Sequence, residues 1–129
     1  MTQERHPDIE VYVKNSSVPA LVNWLRSISE SASEVKTRGY THELQCTLQG
    51  QPIPVMIEER VVGKAWISIW FNSDQTPWAQ DLECAKAITQ ALNVQTRCIV
   101  NGWSESEDEA DEWWKVTAQE IEKVVWNTQ

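Results

Sequence analysis

Six acidic side chains are crowded into eight consecutive positions near the end of this chain, and three tryptophans border them. Residues 105–123 hold eight acidic residues against two lysines, which is −6 of the formal net charge of −8. Carboxylates steer a basic partner towards a surface, and tryptophans are enriched among the anchors of protein interfaces. The sequence therefore predicts a partner-binding surface made of Trp103, Glu105, Glu107, Asp108, Glu109, Asp111, Glu112, Trp113 and Trp114.

The same acidic run is also typical of the solvated first turn of a helix. Ser106, followed three residues later by Glu109, forms a capping box, and carboxylates in a first turn complement the positive end of the helix dipole. The Asp-x-Asp-x-Asp-Gly spacing of a calcium loop is missing from the run. A helix start and a docking surface therefore both remain open as interpretations.

Tryptophan is unusually abundant, since the chain has eight tryptophans but only two tyrosines and one phenylalanine. Such large rings either fill the core of a thin sandwich or anchor a partner at a surface. A third alternative is a homodimer whose shared interface buries the rings. The composition alone does not choose among these three uses of tryptophan.

Cysteine and histidine are the residues that would hold a metal ion, and their spacing argues against one. His42 and Cys46 lie four positions apart in a predicted strand, which separates them by about 13 Å, too far to share a tetrahedral ion. The sequence has no Cys-x-x-Cys pair and no glycine-rich phosphate loop. We therefore predict no metal and no cofactor, a solvent-exposed His42, and reduced, buried thiols at Cys46, Cys84 and Cys98.

No catalytic constellation stands out in the sequence. A nucleophilic serine or cysteine needs a base, and the histidines are His6, in a polar N-terminal stretch, and His42. No Gly-x-Ser-x-Gly turn is present, so we predict a protein that is not an enzyme. The alternative is an enzyme or small-ligand-binding protein with a carboxylate-lined cleft. The residues that would line this cleft are Glu58, Asp74, Asp81 and, as a wall, Trp78.

Length and charge set the broad class. The 129 residues, 41% of them hydrophobic, predict one α+β domain over residues 1–129 with a substantial core. The net charge of −8 argues against direct binding to nucleic acid. No stretch approaches the ~18 apolar residues that span a bilayer, and the first residues lack the apolar segment of a signal peptide. We therefore expect a cytoplasmic protein with no membrane partner.

Hydrophobic periodicity predicts the elements that must position these residues. Alternating apolar residues indicate strands, and apolar residues at three- and four-residue spacing indicate helices. The predicted order is β-α-β-β-β-α-β-α, an α+β fold with an antiparallel-dominated sheet of about five strands and three helices. The predicted strands cover residues 9–13, 35–48, 53–59, 64–71 and 94–100, and the predicted helices begin near residues 18, 77 and 107.

The strand near residues 65–71 predicts two different faces of the sheet. Ile67, Ile69 and Phe71 point towards the first two helices, whereas Trp66 and Trp70 point the other way. An uncovered pair of indoles would be a large apolar patch for a monomer. The third predicted helix carries an apolar stripe over residues 110–124, so we expect it to cover both tryptophans.

Together these features favour a non-enzymatic interaction factor. The sequence predicts a small adaptor, inhibitor or immunity-like protein that docks its acidic, tryptophan-bearing surface on a basic protein. The carboxylate-lined cleft and the homodimer are the alternatives. In the cleft hypothesis the carboxylates converge on a pocket. In the homodimer hypothesis a second copy of the chain buries the tryptophans.

Overall fold

A single antiparallel sheet dominates the fold. The structure, a computed structural model, describes residues 6–100 and 112–125. Its elements within these residues are β1 (Ile9–Lys14), α1 (Val18–Ile28), β2 (Ser31–Ala32), β3 (Lys36–Arg38), β4 (Thr41–Leu48), β5 (Gln51–Glu59), β6 (Trp66–Phe71), α2 (Asp81–Leu92), β7 (Thr96–Ile99), β8 (Glu112–Val116) and β9 (Ile121–Val125). The strand order is β2-β4-β5-β6-β1-β7-β8-β9, and β3 pairs with β4 beside this path.

The expectation of about five strands and three helices is wrong, because the described residues form nine strands and two helices. The largest difference lies at the C-terminal end, where β8 and β9 form a hairpin in place of the predicted third helix. The backbone N–H of Thr117 donates to the carbonyl of Glu120 at 2.9 Å and closes the turn. Valine, isoleucine and tryptophan favour strands, and pairing of β8 with β7 satisfies its backbone, so the sheet prevails over the helical spacing.

Two short edge strands also differ from the sequence-based expectation. The single strand predicted over residues 35–48 is split at Gly39 and Tyr40 into the hairpin of β3 and β4. Gly39 has φ +60°, a left-handed conformation that glycine adopts without strain. Residues 31 and 32, predicted to lie in a loop, pair with β4 as β2. The result is a sheet that extends further on both sides than predicted.

The two helices begin and end at identifiable caps. Ser17 caps α1, because its hydroxyl accepts a hydrogen bond from the N–H of Ala20 at 3.2 Å. The second helix begins at Asp81 and not near Thr76, which forms a separate turn. Asn93, with φ 54°, ends α2 in a left-handed conformation. Neither of these helices has the length and apolar character of a membrane-spanning segment.

Both helices pack against one face of the sheet, which we call the helix face. Val11 of β1 pairs with Ile69 of β6, and Ile69 pairs in turn with Ile57 of β5. Residues paired in this way point to the same face, so the three side chains form a row across the middle of the sheet. Leu25 of α1 and Ile88 of α2 complete this core, and all five residues are fully buried. Burial of this apolar area is the main stabilising term.

An aromatic group closes one end of the core. The ring of Phe71 lies 5.2 Å from that of Trp78 in an edge-to-face contact, and Trp78 stacks on Trp24 of α1 at 5.9 Å. Such contacts add about 0.5–1.5 kcal/mol each beyond the area that they bury. The turn before α2 is therefore held to the sheet and to α1 by three aromatic side chains.

The other face of the sheet, which we call the second face, carries neither α1 nor α2. Trp66 and Trp70 lie on this face as predicted, but the expectation that a third helix covers them is wrong. Cationic side chains cover Trp66 instead: the Lys14 ammonium lies 5.9 Å and the Arg97 guanidinium 5.3 Å from its ring. Long cationic side chains lay their apolar stems over rings in this way, and Trp66 is only 8% exposed.

Candidate partner-binding site

Three of the nine residues predicted to bind a partner lie in the described part of the chain. Glu112 is exposed at the start of β8, and Trp114 is partly buried on the helix face beneath Lys123, whose ammonium lies 5.2 Å from the ring. Trp113 is buried on the second face, edge-to-face with Tyr12 at 5.3 Å. The other six, Trp103, Glu105, Glu107, Asp108, Glu109 and Asp111, lie outside the described residues.

The hairpin separates the roles of the two adjacent tryptophans. Neighbouring residues of a strand point to opposite faces, so Trp113 and Trp114 do not belong to one contact surface. The buried ring of Trp113 supports the sheet from within, whereas Trp114 and Glu112 are accessible to a partner.

Four carboxylates near the start of β1 form a group that we call the acidic cluster, defined as Asp8, Glu10, Glu58 and Asp81. Glu10 and Glu58 point to the second face, and Asp81 reaches the backbone of β1 from the start of α2. Glu10 and Glu58 come from β1 and β5, which lie on either side of β6. Burial first, and then the carboxylates of Asp8, Asp81 and Glu58, together raise the pKa of Glu10 from 4.5 to about 7. The Glu10 carboxyl group therefore gains or loses its proton near neutral pH.

Hydrogen bonds fix the acidic cluster at its two flanks. The indole N–H of Trp70 donates to the Asp8 carboxylate at 2.7 Å. One oxygen of Asp81 lies 3.0 Å from Nδ1 of His6, and the other accepts the backbone N–H of Glu10 at 3.4 Å. Burial raises the pKa of Asp81, and the hydrogen bond from His6 opposes that shift. Asp8 and Asp81 therefore have defined positions beside Glu10 and are not free surface groups.

Charge changes sign along the second face. Strand β1 presents Glu10, Tyr12 and Lys14 in succession on this face. Burial, and then the carboxylates of Glu10 and Glu58, raises the pKa of Tyr12 to about 12, so that its hydroxyl stays protonated. Lys14 and Arg97 lie at the other end, over the Trp66 ring. The acidic cluster is thus one end of a polarised surface.

The residues suggested for a carboxylate-lined cleft are brought together only in part. The carboxylates of Asp81 and Glu58 both contribute to the raised pKa of Glu10. Asp74 is exposed and accepts a hydrogen bond from Gln75 at 2.9 Å. Trp78 packs against the core, edge-to-face with Phe71.

His42 is buried, so the expectation of a solvent-exposed side chain is wrong. Its Nδ1 lies 2.9 Å from the hydroxyl of Thr37, and its Nε2 lies 2.8 Å from the carboxylate of Glu59. These contacts tie β3 and β5 together across β4. In residues 6–100 and 112–125, no three histidine, cysteine or acidic side chains are grouped as a metal site would require.

The prediction that the cysteines are buried is confirmed, and it leads to an expected reactivity. Cys46, Cys84 and Cys98 are free and buried, and burial raises the pKa of each thiol. Because the thiolate is the reactive form, all three should react slowly with a thiol reagent in the native protein and rapidly in denaturant. Mass spectrometry of timed samples measures this. Rapid native labelling of Cys46 at neutral pH would contradict it and indicate an activated thiolate.

Sequence reasoning missed Asp8, Glu10 and Trp70 as members of a site. Asp8 and its partner Trp70 are 62 positions apart in the sequence, and Glu10 and Asp81 are 71 apart. The one local signal was the polar side of β1, which alternation already placed away from the helices. The register of the sheet is what brings these residues together.

Comparisons of the chain with protein-family models, with curated proteins and with solved structures found no match. The assignment of function therefore depends on the geometry of the acidic cluster and its surroundings.

Proposed function

We propose that this chain is a non-enzymatic protein-binding factor, of the adaptor, inhibitor or immunity type, that docks an acidic, tryptophan-bearing surface on a basic protein. The observation that carries the proposal is the acidic cluster, where burial and neighbouring carboxylates hold Glu10 protonated up to about pH 7. A cationic side chain placed among these carboxylates offsets their repulsion and favours ionised Glu10. A basic partner therefore gains more electrostatic binding free energy at this cluster than at the same number of carboxylates spread over a surface.

The acidic cluster is also prepared for binding by its rigid support. Glu10 belongs to the central strand β1, and Asp8 is held by the indole N–H of Trp70. Side chains that are already ordered lose little conformational freedom when a partner binds. Trp70, partly buried beside Asp8, supplies the kind of aromatic anchor that interface energetics favour.

The C-terminal acidic residues have a secondary role in the proposal. Glu112 and Trp114 are accessible in β8, and residues 103–111 retain the role predicted from the sequence, that of steering a basic partner. Trp113 is buried and supports the sheet from the second face. Glu112 and Trp114 lie on the helix face, whereas Glu10 and Glu58 lie on the second face. The proposed docking surface is therefore the fixed acidic cluster, and the C-terminal acidic residues add long-range attraction for a basic partner.

Proton release tests this proposal directly. We expect a basic probe, poly-L-lysine, to bind the intact chain at about pH 7 with release of a proton, because binding favours ionised Glu10. Calorimetric titrations in two buffers of different ionisation enthalpy measure the release. Glu10→Gln should abolish it, and Glu34→Gln, which removes an exposed charge elsewhere, should leave it intact. Binding without proton release would contradict the role of Glu10.

A pull-down identifies the natural partner. The immobilised chain should retain a basic protein from source lysate at low salt and lose it at high salt, because the attraction is screened. Glu58→Gln should weaken retention and Glu34→Gln should not. No enrichment at low salt, or retention that is indifferent to salt and to Glu58→Gln, would overturn the proposal.

A small-ligand-binding protein or enzyme is the second candidate, and one observation favours it. Burial and the carboxylates of Asp8, Asp81 and Glu58 raise the pKa of Glu10 to about 7, as occurs in sites that bind or process small molecules. A small polyamine such as spermidine would then bind with a defined stoichiometry and release the same proton without any protein partner. A protein-docking surface gives only weak, unsaturable heats with this probe.

A further inference from the structure

Strand β9 forms one edge of the described sheet. It pairs with β8 on one side, and among residues 6–100 and 112–125 no strand pairs with its other side. An open edge presents a row of backbone N–H and C=O groups to which a further strand can add. The side chains beside this edge determine which segment would fit.

The helix-face side of β9 has a simple pattern. Ile121 is 41% exposed and Val125 is 69% exposed, although both are large apolar residues. Lys123 lies between them on the same face, opposite Trp114 of β8. The edge therefore presents an apolar, a cationic and an apolar side chain in turn.

A groove lies between α2 and the turn that joins β8 to β9, and it reaches β9 at Ile121. Its volume is about 460 Å³, and the hydroxyl of Thr89 lies 3.5 Å from the carbonyl of Val116, so that α2 is held over β8. An apolar side chain opposite Ile121 would lie at the mouth of this groove. The residues that line it are Lys86, Thr89, Gln90, Val116, Thr117, Ala118, Gln119, Glu120 and Ile121.

We infer that β9 binds an extended segment of a partner protein by strand addition, with an acidic residue opposite Lys123 and apolar residues opposite Ile121 and Val125. Directly opposed side chains on one face determine the strength of strand pairing. The required pattern is apolar-x-acidic-x-apolar. It reads the same in both directions, so it fits a parallel or an antiparallel partner strand.

Charge complementarity selects the acidic residue. Lys123 is the only charged side chain of β9 on this face, and Lys86 is exposed across the groove on α2. Glu112 lies one strand further from the added segment, opposite Val125. Glu122 points to the second face, where Lys115 neutralises it at 3.4 Å. A carboxylate opposite Lys123 is therefore attracted by the Lys123 ammonium.

Two synthetic peptides test the side-chain pattern on the full chain. The acetylated, amidated peptide Thr-Val-Thr-Glu-Thr-Val-Thr should bind about threefold to tenfold more tightly than the same peptide with lysine at its centre. Fluorescence anisotropy of labelled peptides gives both affinities. Lys123→Glu should reverse the preference, and Lys64→Glu, the same charge change at an exposed loop position, should preserve it.

Backbone methylation tests strand addition itself. Alternate residues of an added strand direct their N–H groups towards β9, so N-methylation of one alternate set should abolish binding while methylation of the other set should not. Equal loss or equal retention for the two methylated peptides would overturn strand addition.

Equal affinity for the glutamate and lysine peptides, or binding of neither, would overturn the inferred pattern. The edge and the acidic cluster are different surfaces, so these results are independent of proton release by Glu10. Either proposal can therefore fail while the other stands.

Discussion

Replacing Phe71 by alanine is expected to lower the free energy of unfolding by about 3–5 kcal/mol. Phe71 is fully buried, pairs with Ile9 and Val55 in the neighbouring strands, and contacts Trp78 at 5.2 Å. The substitution leaves a cavity at the end of the core and removes the ring that holds Trp78 in place. Urea denaturation followed by far-ultraviolet circular dichroism measures the loss.

Two matched variants separate cavity formation from general damage. Phe71→Leu keeps much of the buried volume and should cost clearly less than Phe71→Ala. Tyr40→Ala removes an aromatic ring that is 53% exposed and lies under Arg60, and should cost about 1 kcal/mol or less. Similar losses for Phe71→Ala and Tyr40→Ala would show that the Phe71 site does not close the core.

Replacing Glu10 by glutamine should change how stability depends on pH. Burial, with the adjoining carboxylates, raises the pKa of Glu10 to about 7 in the folded chain, against the usual value of 4.5 for a solvated glutamate. Between these two values the unfolded chain has lost this proton while the folded chain retains it, so stability falls as the pH rises. The contribution is fully present below pH 4.5 and is lost as the pH passes through 7. Because Glu10 is only partly buried, solvent screening limits it to about 1–2 kcal/mol.

The measurement compares urea unfolding of the native sequence and of Glu10→Gln at about pH 5.5 and about pH 8. Relative to the native sequence, the free energy of unfolding of Glu10→Gln should be about 1–2 kcal/mol higher at about pH 8 than at about pH 5.5. Glu34→Gln, which removes an exposed carboxylate, is the control and should show the same difference at both pH values. A pH-independent difference for Glu10→Gln would mean that its proton is not retained in the folded state.

Elements with a complete local signal could be predicted from the sequence. Alternating residues of β1, the Ser17 cap of α1 and the left-handed Asn93 after α2 each depend on neighbours within a few positions. The consecutive pairing of β4, β5 and β6 was also predictable, because short turns join only antiparallel neighbours. In each case the decisive interactions are close in the sequence.

The C-terminal hairpin was not predictable in this way. Trp113, Ile121 and Val124 fit a helical stripe as well as they fit two strands, so spacing alone is ambiguous. The choice depends on β7, whose open edge pairs with β8 and satisfies its backbone groups. The acidic cluster has the same origin, because sheet register places Glu58 on the face of Glu10, and the packing of α2 brings Asp81 to the backbone of Glu10.

The position of β1 has a consequence for synthesis on the ribosome. Of the described strands β1 comes first in the sequence, yet it lies between β6 and β7. Ile69, which pairs with Val11, and Arg97, which pairs with Tyr12, are therefore synthesised much later than β1. Until those later strands emerge, an alternating apolar strand has neither of its neighbours, and closing the long intervening loops makes folding slow. Nascent chains that stop before β7 therefore keep the centre of the sheet open, and they are the species most prone to aggregate with one another.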